Sequence, residues 1–368
     1  INKGADDIVI PDPRSSKPKT LLPFISLATA AVVTTGIGLA SSPLSASSNL
    51  LASPDKQQAK QQTVEITLVS YAVTQSAYSK IIPLFVNKWK REKKQDVVIK
   101  QSYGGSGSQT RAVIDGLDAD VVNLAIGSDV ERLQKAGLVN PGWQKELPNN
   151  AIATRSVVAL VTRQGNPKGI RNWPDLAKSG IKVITANPKT SGVARWNFLA
   201  LWGSVTRTGG SEAQATNFVR NVYKNVPVLP KDAREASDVF FKQDQGDVLL
   251  NYENEVILAR QKGETGFSYT IPSVNVSIDP PVAVVDKIVD KRKTREVATA
   301  FAQFLFTPEA QREFAKVGFR PVNANVAKEF SKQYPKVSNL FPSTAVGSWD
   351  AIQKKFFADG AIFDQIQR

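Results

Sequence analysis

The sequence of 368 residues contains no cysteine, no methionine and no histidine. Without cysteine, the chain has no disulfides, no zinc–thiolate sites and no thiol nucleophile. Without histidine, it lacks the side chain that most often serves as general base and as transition-metal ligand. These absences disfavour most hydrolytic, redox and zinc-dependent mechanisms, while carboxylate, lysine and serine–lysine chemistry stays open.

The chain is basic, with 47 lysines and arginines against 33 acidic residues and a net charge of +14. A basic surface attracts nucleic acids, anionic surfaces or small anions. Here the basic residues lie in small scattered groups such as Arg91/Lys93/Lys94. They are not accompanied by zinc-finger spacing or by the aromatic motifs of RNA-binding domains. We therefore expect a solvated basic surface and no nucleic-acid partner.

The N-terminal region resembles a secretory signal. Three basic residues, Arg14, Lys17 and Lys19, precede an apolar run over 21–40, and small residues follow it. This order of charge, apolar run and small residues is typical of a cleaved signal peptide and predicts a secreted protein. An uncleaved signal anchor is the open alternative. We assign 1–53 to the signal region and 54–62, rich in glutamine and charge, to a disordered leader.

From residue 64 onward, short β-branched segments alternate with segments of helical periodicity, which predicts an α/β protein with mostly parallel sheets flanked by helices. Ligands of such proteins bind beyond the carboxyl ends of the strands. Four strand-to-helix turns carry residues suited to binding: 102–108, 187–192, 230–234 and 251–253.

These turns favour an anion as ligand. A helix N-terminus carries unpaired N–H groups and a partial positive charge, glycine allows close approach, and serine adds a hydroxyl donor. Ordinary helix capping is the alternative for any single turn. The glycine-rich turn 104–108 lacks the lysine of a Walker loop and the spacing of a dinucleotide-binding loop.

Around these turns the sequence resembles the periplasmic sulfate-binding proteins of ABC importers over about 64–368. The resemblance is carried by Val69-Ser70-Tyr71, Gln101-Ser102-Tyr103-Gly104-Gly105-Ser106-Gly107, Asn187-Pro188-Lys189-Thr190-Ser191-Gly192-Val193-Ala194-Arg195-Trp196-Asn197, Gly246-Asp247-Val248-Leu249, Glu253-Asn254-Glu255, Val284-Val285-Asp286-Lys287 and Phe363-Asp364-Gln365-Ile366. It implies a two-lobed, type II binding-protein fold with the ligand in a cleft between the lobes.

The resemblance also implies how the chain is organised and what it binds. One lobe is expected to comprise 63–153 and 272–368, and the other 154–271. The expected ligand is sulfate, with thiosulfate or another tetrahedral oxyanion such as molybdate as the alternative. We expect a monomer without cofactor, metal site or enzymatic activity, and a membrane permease as partner.

Family contacts can be carried over onto matching positions. The expected ligand residues are Ala72, Ser106, Ser191, Gly192, Val193, Ala233 and Tyr252. Ser106 is expected to donate from its hydroxyl and its N–H, Ser191 to cap its helix, and most others to donate backbone N–H groups. Arg195 and Arg234 are expected to support the site indirectly.

Three of these positions depart from the family pattern. Ala72 stands where Asp is familiar, and Val193 where Gly is familiar, but both are expected to act through the backbone. Tyr252 stands where a Trp indole donor is familiar; a phenol also donates, but its reach differs and it can accept as well, and a cleft-wall aromatic is the alternative. If the ligand is sulfate, we hypothesise a reason for the absence of cysteine and methionine: a protein made during sulfur shortage should not consume sulfur.

Overall fold

The computed structural model describes residues 63–367. The predictions made for residues 1–62 lie outside this range. None of the helices within 63–367 combines the length and the apolar character that crossing a bilayer requires.

The first of two four-stranded sheets, sheet I, has the strand order β10-β3-β1-β2. Its strands are β1 (Val64–Tyr71), β2 (Val97–Gly104), β3 (Val121–Asn123) and β10 (Val282–Val284). β2 and β3 run parallel to β1 on either side, and β10 runs antiparallel to β3. The carboxyl ends of β1, β2 and β3 therefore meet at one edge of the sheet.

The second sheet, sheet II, has the order β6-β7-β5-β8. Its strands are β5 (Val158–Arg163), β6 (Val183–Ile184), β7 (Val248–Tyr252) and β8 (Phe267–Thr270). β6 and β7 are parallel, while β5 is antiparallel to both β7 and β8.

Both sheets are thus mixed: two of the three strand pairs in sheet I are parallel, and one of the three in sheet II is parallel. β5 is the first strand of sheet II that the chain reaches after leaving sheet I. β10 is the strand of sheet I that the chain forms after it returns from sheet II. Neither strand follows a helical crossover from a neighbour in its own sheet, which is the connection that parallel neighbours require. The α/β layering with flanking helices is as predicted.

Two short ladders lie along the segments that connect the sheets. β4 (Thr154–Arg155) pairs with β11 (Arg320–Pro321), and β9 (Val274–Val276) pairs with β12 (Asn339–Phe341). The chain passes from sheet I to sheet II through β4 and returns through β9.

The helices cover the sheet faces with their apolar sides. They are α1 (Gln75–Lys93), α2 (Ser106–Ile114), α3 (Gly127–Lys135), α4 (Gly192–Thr206), α5 (Glu212–Lys224), α6 (Ala233–Phe241), α7 (Glu253–Gln261), α8 (Asp286–Arg292), α9 (Arg295–Phe304), α10 (Pro308–Lys316), α11 (Ala324–Glu329), α12 (Trp349–Ile352) and α13 (Ile362–Gln367). α4 is the most buried of the helices that border sheet II: all residues from Gly192 to Gly203 are buried.

The end of the chain packs against helices of sheet II. Phe356 and Phe357 contact Phe198 of α4, and Phe363 contacts Tyr223 of α5. The sequence interpretation placed all of 272–368 with the first lobe, whereas these last residues lie on α4 and α5. The reason is local composition, since three phenylalanines near the C-terminus need an apolar partner surface.

Candidate functional site

A small cavity lies where strand-to-helix turns of the two sheets meet. From the side of sheet I it is lined by Tyr71, Ala72, Val73, Gly104, Gly105, Ser106 and Ala125; from the side of sheet II it is lined by Ser191, Gly192, Val193, Asp232, Ala233 and Tyr252. The structure therefore brings together all seven residues that the sequence interpretation named as ligand contacts. Arg195 and Arg234 lie behind this lining.

Three helices begin at the cavity. Ser106, Gly192 and Ala233 are the first residues of α2, α4 and α6. The first N–H groups of a helix have no acceptor within the helix, and they form its positive end. Three such ends around one cavity make a site for an anion without a formal cation in the lining.

Tyr252 supplies a neutral side-chain donor to the same cavity. It is 2 % exposed, and its hydroxyl has no hydrogen-bond partner among residues 63–367. Its ring meets that of Tyr71 edge-on, with 6.0 Å between centroids. Burial, then the neighbouring Tyr71 and Glu255, raise the pKa of Tyr252 well above its usual value. The phenol therefore stays protonated, and an unpaired buried donor of this kind is costly until a ligand accepts from it.

The Ser106 hydroxyl is arranged differently from the sequence expectation. Its Oγ accepts a hydrogen bond from the N–H of Ala125 (2.9 Å) and donates to Oδ2 of Asp129 (2.6 Å). A hydroxyl has one proton to donate. In this arrangement that proton is committed to Asp129, and the backbone N–H of Ser106 is the group that faces the cavity as a helix-end donor.

Asp129 is a residue that sequence reasoning missed. It is fully buried in α3 and forms an ion pair with Arg195 of α4, with 2.9 Å between Oδ1 and Nη1. Arg195 also donates from Nε to the carbonyl of Pro188 (2.9 Å). The available signal was the turn Gly127-Ser128-Asp129, which follows β3 as the glycine-rich turn follows β2.

Arg234 has its own carboxylate partner. Its Nη2 lies 3.1 Å from Oε1 of Glu255, and the Oε2 of Glu255 accepts from the Ser237 hydroxyl (3.1 Å). Burial raises the pKa of Glu255, and the nearby Arg234 opposes that shift. Both arginines are thus held by carboxylates, and neither is among the residues that line the cavity.

The capping role expected for Ser191 is not seen. Ser191 occupies the N-cap position of α4, but its side chain forms no capping hydrogen bond. At the start of α6, by contrast, Asp232 Oδ1 accepts from the N–H groups of Arg234 and Glu235 (both 2.9 Å). The first turn of α4 is therefore left with more unpaired N–H groups at the cavity than that of α6.

Two carboxylates, Asp232 in the lining and Glu253 beside it, form hydrogen bonds with other groups of the protein. Asp232 caps α6 as described, and Glu253 forms two hydrogen bonds with Arg320, of 2.6 and 2.9 Å. Across residues 63–367 the acidic side chains form no cluster that could hold a metal ion. The lining consequently offers mainly donors.

The two sides of the cavity are in direct contact. The N–H of Gly107 donates to the carbonyl of Thr190 (3.1 Å), and the Trp196 indole donates to the carbonyl of Ala125 (2.7 Å). A Cβ added at Gly192 would come within 3.0 Å of the Ala125 side chain. Glycine at this position is what permits α4 to approach the turn after β3, so the arrangement is a closed one.

Comparisons with known proteins agree with this geometry. The model of the bacterial extracellular solute-binding protein family matches residues 66–320. The sulfate-binding protein of Synechococcus elongatus is 61 % identical over 308 residues, covering 83 % of this chain and 87 % of that protein. The thiosulfate-binding protein of Pseudomonas aeruginosa is 41 % identical over 300 residues, covering 81 % and 90 %.

A solved structure extends the likeness to three dimensions. The sulfate-binding protein SubI from Mycobacterium tuberculosis is 38 % identical and superimposes with a TM-score of 0.73, covering 80 % of this chain and 99 % of that one. The chain therefore belongs to the bacterial extracellular solute-binding proteins, with relatives named as sulfate-binding proteins.

Proposed function

We propose that this protein captures sulfate in the cavity and delivers it to the membrane permease of an ABC importer. The observation that carries the proposal is the convergence of three helix N-termini and one unpaired buried hydroxyl on one cavity. The high identity to proteins named sulfate-binding supports it. The proposal includes a periplasmic location and binding without turnover.

The proposed lobes are the two halves built around sheet I and sheet II, with the hinge at the β4/β11 and β9/β12 ladders. Sulfate bound between α2, α4 and α6 would hold the halves together and shift the population toward the closed form. The permease would recognise that closed form. Ala72, Ser106, Ser191, Gly192, Val193, Ala233 and Tyr252 are the proposed contacts, with Arg195 and Arg234 as indirect support.

The chemistry of the lining favours a fully deprotonated anion. Burying a dianion is unfavourable unless its oxygens are satisfied, and fixed N–H donors can do this without a counter-charge. Hydrogen phosphate carries a proton that needs an acceptor; Oδ1 of Asp232 already accepts two backbone N–H groups, and both oxygens of Glu253 are bound by Arg320. A phosphate O–H facing donors would be penalised by about 1–3 kcal/mol.

Calorimetry on the purified protein tests the choice of anion. We expect sulfate to bind at least tenfold more tightly than phosphate, because 1.4 kcal/mol corresponds to a factor of about ten. Since Tyr252 stays protonated, sulfate affinity should change little between roughly pH 6 and pH 9. Comparable affinities for sulfate and phosphate would refute the donor-only site.

Thiosulfate is the second candidate, because a relative named thiosulfate-binding protein covers most of this chain. Thiosulfate is also a dianion that needs donors only, but one of its four corners is a larger sulfur atom. We expect the tightly closed cavity to prefer sulfate, with molybdate as a further tetrahedral competitor. Competition titrations that rank thiosulfate or molybdate above sulfate would replace the proposed ligand and leave the anion site intact.

Tyr252→Phe tests the buried phenol donor of the lining, which has no hydrogen-bond partner among residues 63–367. We expect sulfate to bind roughly ten- to hundredfold more weakly, since a hydrogen bond to a charged group contributes about 1.5–3 kcal/mol. The ligand-free protein should lose no stability, because the removed hydroxyl is buried and unpaired.

Tyr223→Phe is the matched control. The Tyr223 hydroxyl is also buried without a partner among residues 63–367, but it lies on α5 away from the cavity lining. This variant should keep the sulfate affinity of the unmodified protein. If Tyr252→Phe and Tyr223→Phe bind sulfate equally well, the Tyr252 hydroxyl does not contact the anion.

A further inference from the structure

The segment 349–364, here termed the C-terminal strap, contacts both halves of the molecule. Its first residue, Trp349, lies between α3 and α4. The indole ring meets that of Trp196 edge-on, with 5.0 Å between centroids. On its other side it covers Gly127, the first residue of α3, where an added Cβ would come within 3.0 Å of the indole nitrogen. The ring occupies the space that a side chain at position 127 would fill.

A second contact joins the same end of the strap to α3. Asp350 lies 2.7 Å from Lys135, and both side chains are largely exposed. Exposed pairs of this kind contribute little to stability. The attachment to α3 therefore consists of one half-buried ring and one weak ion pair.

The other end of the strap is anchored far more strongly. Phe356 contacts Trp202 and Phe198 with centroid distances of 4.8 and 5.2 Å, and Phe363 contacts Tyr223 at 5.5 Å. Both phenylalanines are buried. Aromatic burial on this scale contributes several kcal/mol, so this end is a permanent part of the half that contains α4 and α5.

The strap also holds the turn that begins α4. The ammonium of Lys189 donates to the carbonyl of Phe357 (3.0 Å) and pairs with Asp364 (2.9 Å). The carbonyls of Lys189 and Thr190 accept from Arg111 (3.3 Å) and Gly107 (3.1 Å) of α2. The turn before α4 thus connects the strap to the cavity and, on the other side of the cavity, to α2.

From this asymmetry we infer that the C-terminal strap is a closure latch. It moves with α4 and α5, and Trp349 docks against Gly127 only when the two halves close around the ligand. The docking contact then adds to the stability of the closed form and increases the apparent affinity for the anion. This inference rests on the proposed function, since it assumes that a bound anion closes the halves.

Trp349→Ala is the direct test, with sulfate affinity measured by calorimetry and ligand-free stability measured by thermal unfolding. We expect about tenfold weaker sulfate binding, within the range usual for coupling between conformational states. The unfolding temperature without sulfate should fall only slightly, because in the open form the ring keeps its contact with Trp196 and has already lost the one with Gly127. Unchanged affinity, with or without a loss of ligand-free stability, would overturn the latch.

Gly127→Ala tests the receiving side without removing the ring. The new methyl group would collide with the indole, so sulfate binding should weaken to a similar degree. Gly266→Ala is the control, since a Cβ added there meets open space and its backbone is not in the left-handed region. The inference fails if the two glycine variants bind sulfate equally well.

A double-mutant cycle isolates the ion pair. Lys135→Ala and Asp350→Ala should each weaken sulfate binding up to about fivefold, and the double variant should lose no more than either single one. Arg312 and Glu329 form a control pair of similar exposure that joins α10 to α11. The same cycle on that pair should leave sulfate affinity unchanged. Additive effects at 135 and 350 would contradict a latch contact.

The outcomes separate the two proposals. If the unmodified protein does not bind sulfate, the proposed function fails before any variant is compared. If the unmodified protein binds sulfate and the strap variants bind it equally well, the function stands and the latch falls.

Discussion

Two arginine–carboxylate pairs lie behind the cavity, and they differ in what they connect. Arg195 of α4 pairs with Asp129 of α3, so this pair crosses from the half with sheet II to the half with sheet I. Arg234 of α6 pairs with Glu255 of α7, so this pair stays within one half. Each carboxylate also accepts from a serine hydroxyl, Ser106 or Ser237.

Burial separates the pairs as well. Arg195 is 4 % exposed, whereas the side chain of Arg234 is 30 % exposed. Both partners of the crossing pair are buried, so the charge of each depends on the other. The pair within one half keeps one partner in contact with water. Similar residue types thus join the two halves in one case and pack two helices of the same half in the other.

The largest expected effect is that of Asp129→Asn. It leaves the buried Arg195 charge without a counter-ion, which should lower the free energy of unfolding by about 3–5 kcal/mol. Glu255→Gln should cost clearly less, because Arg234 reaches solvent. Urea unfolding of the sulfate-bound protein measures both. If the two variants lose equal stability, the distinction between a crossing pair and a local pair is wrong.

The two serines give an effect of intermediate size. Ser106→Ala leaves the Ala125 N–H and Asp129 each short of one hydrogen bond at the cavity, and we expect sulfate binding to weaken by about 1–3 kcal/mol. Ser237→Ala removes the equivalent hydroxyl from Glu255, away from the cavity lining, and should leave the affinity near that of the unmodified protein. If calorimetry finds equal losses of sulfate affinity for the two serine variants, Ser237 has the same role as Ser106.

The smallest effect concerns pH. Burial raises the pKa of Glu255 above its ordinary 4.5, with Arg234 opposing. The folded state therefore binds this proton more tightly than the unfolded state, and stability falls as pH rises from 4.5 through the raised pKa. Glu255→Gln should reduce that fall.

Glu329→Gln serves as the sign control for this titration. Arg312 lowers the pKa of Glu329, so its contribution to stability is present above pH 4.5 and is lost as pH decreases. Stability curves measured by urea unfolding across pH should differ from the unmodified protein in opposite directions for the two variants. A Glu255→Gln curve parallel to that of the unmodified protein would show that the carboxyl titrates at its ordinary pKa.

Prediction of the fold from the sequence succeeded where the signal is local. The helical periodicity of the sequence over Trp196–Val205 belongs to α4, which begins four residues earlier at Gly192. The helical periodicity over Thr110–Leu117 belongs to α2, which begins at Ser106 and ends at Ile114. In both cases glycine and serine were assigned to a turn although they form the first helical turn, where their low helix propensity matters least because tertiary contacts hold them.

The seven expected ligand residues meet at one cavity because each follows a strand or begins a helix. Parallel strands bring such positions to one edge of a sheet, so their proximity follows from the order of elements. The hydrogen bonds of Ser106 and Ser191 could not be predicted in this way. The Ser106 hydroxyl donates to Asp129, which is 23 residues away, and the Ser191 side chain forms no capping hydrogen bond.

By itself, the sequence determined the alternation of strands and helices, the turns that carry donors, and the exclusion of thiol and imidazole chemistry. These features depend on residue type and short-range periodicity, which act within a few residues of the chain. Tertiary structure alone decided that Arg195 pairs with Asp129 and that Trp349 lies on Gly127. These partners are 66 and 222 residues apart, and only the packing of complete sheets and helices brings them together.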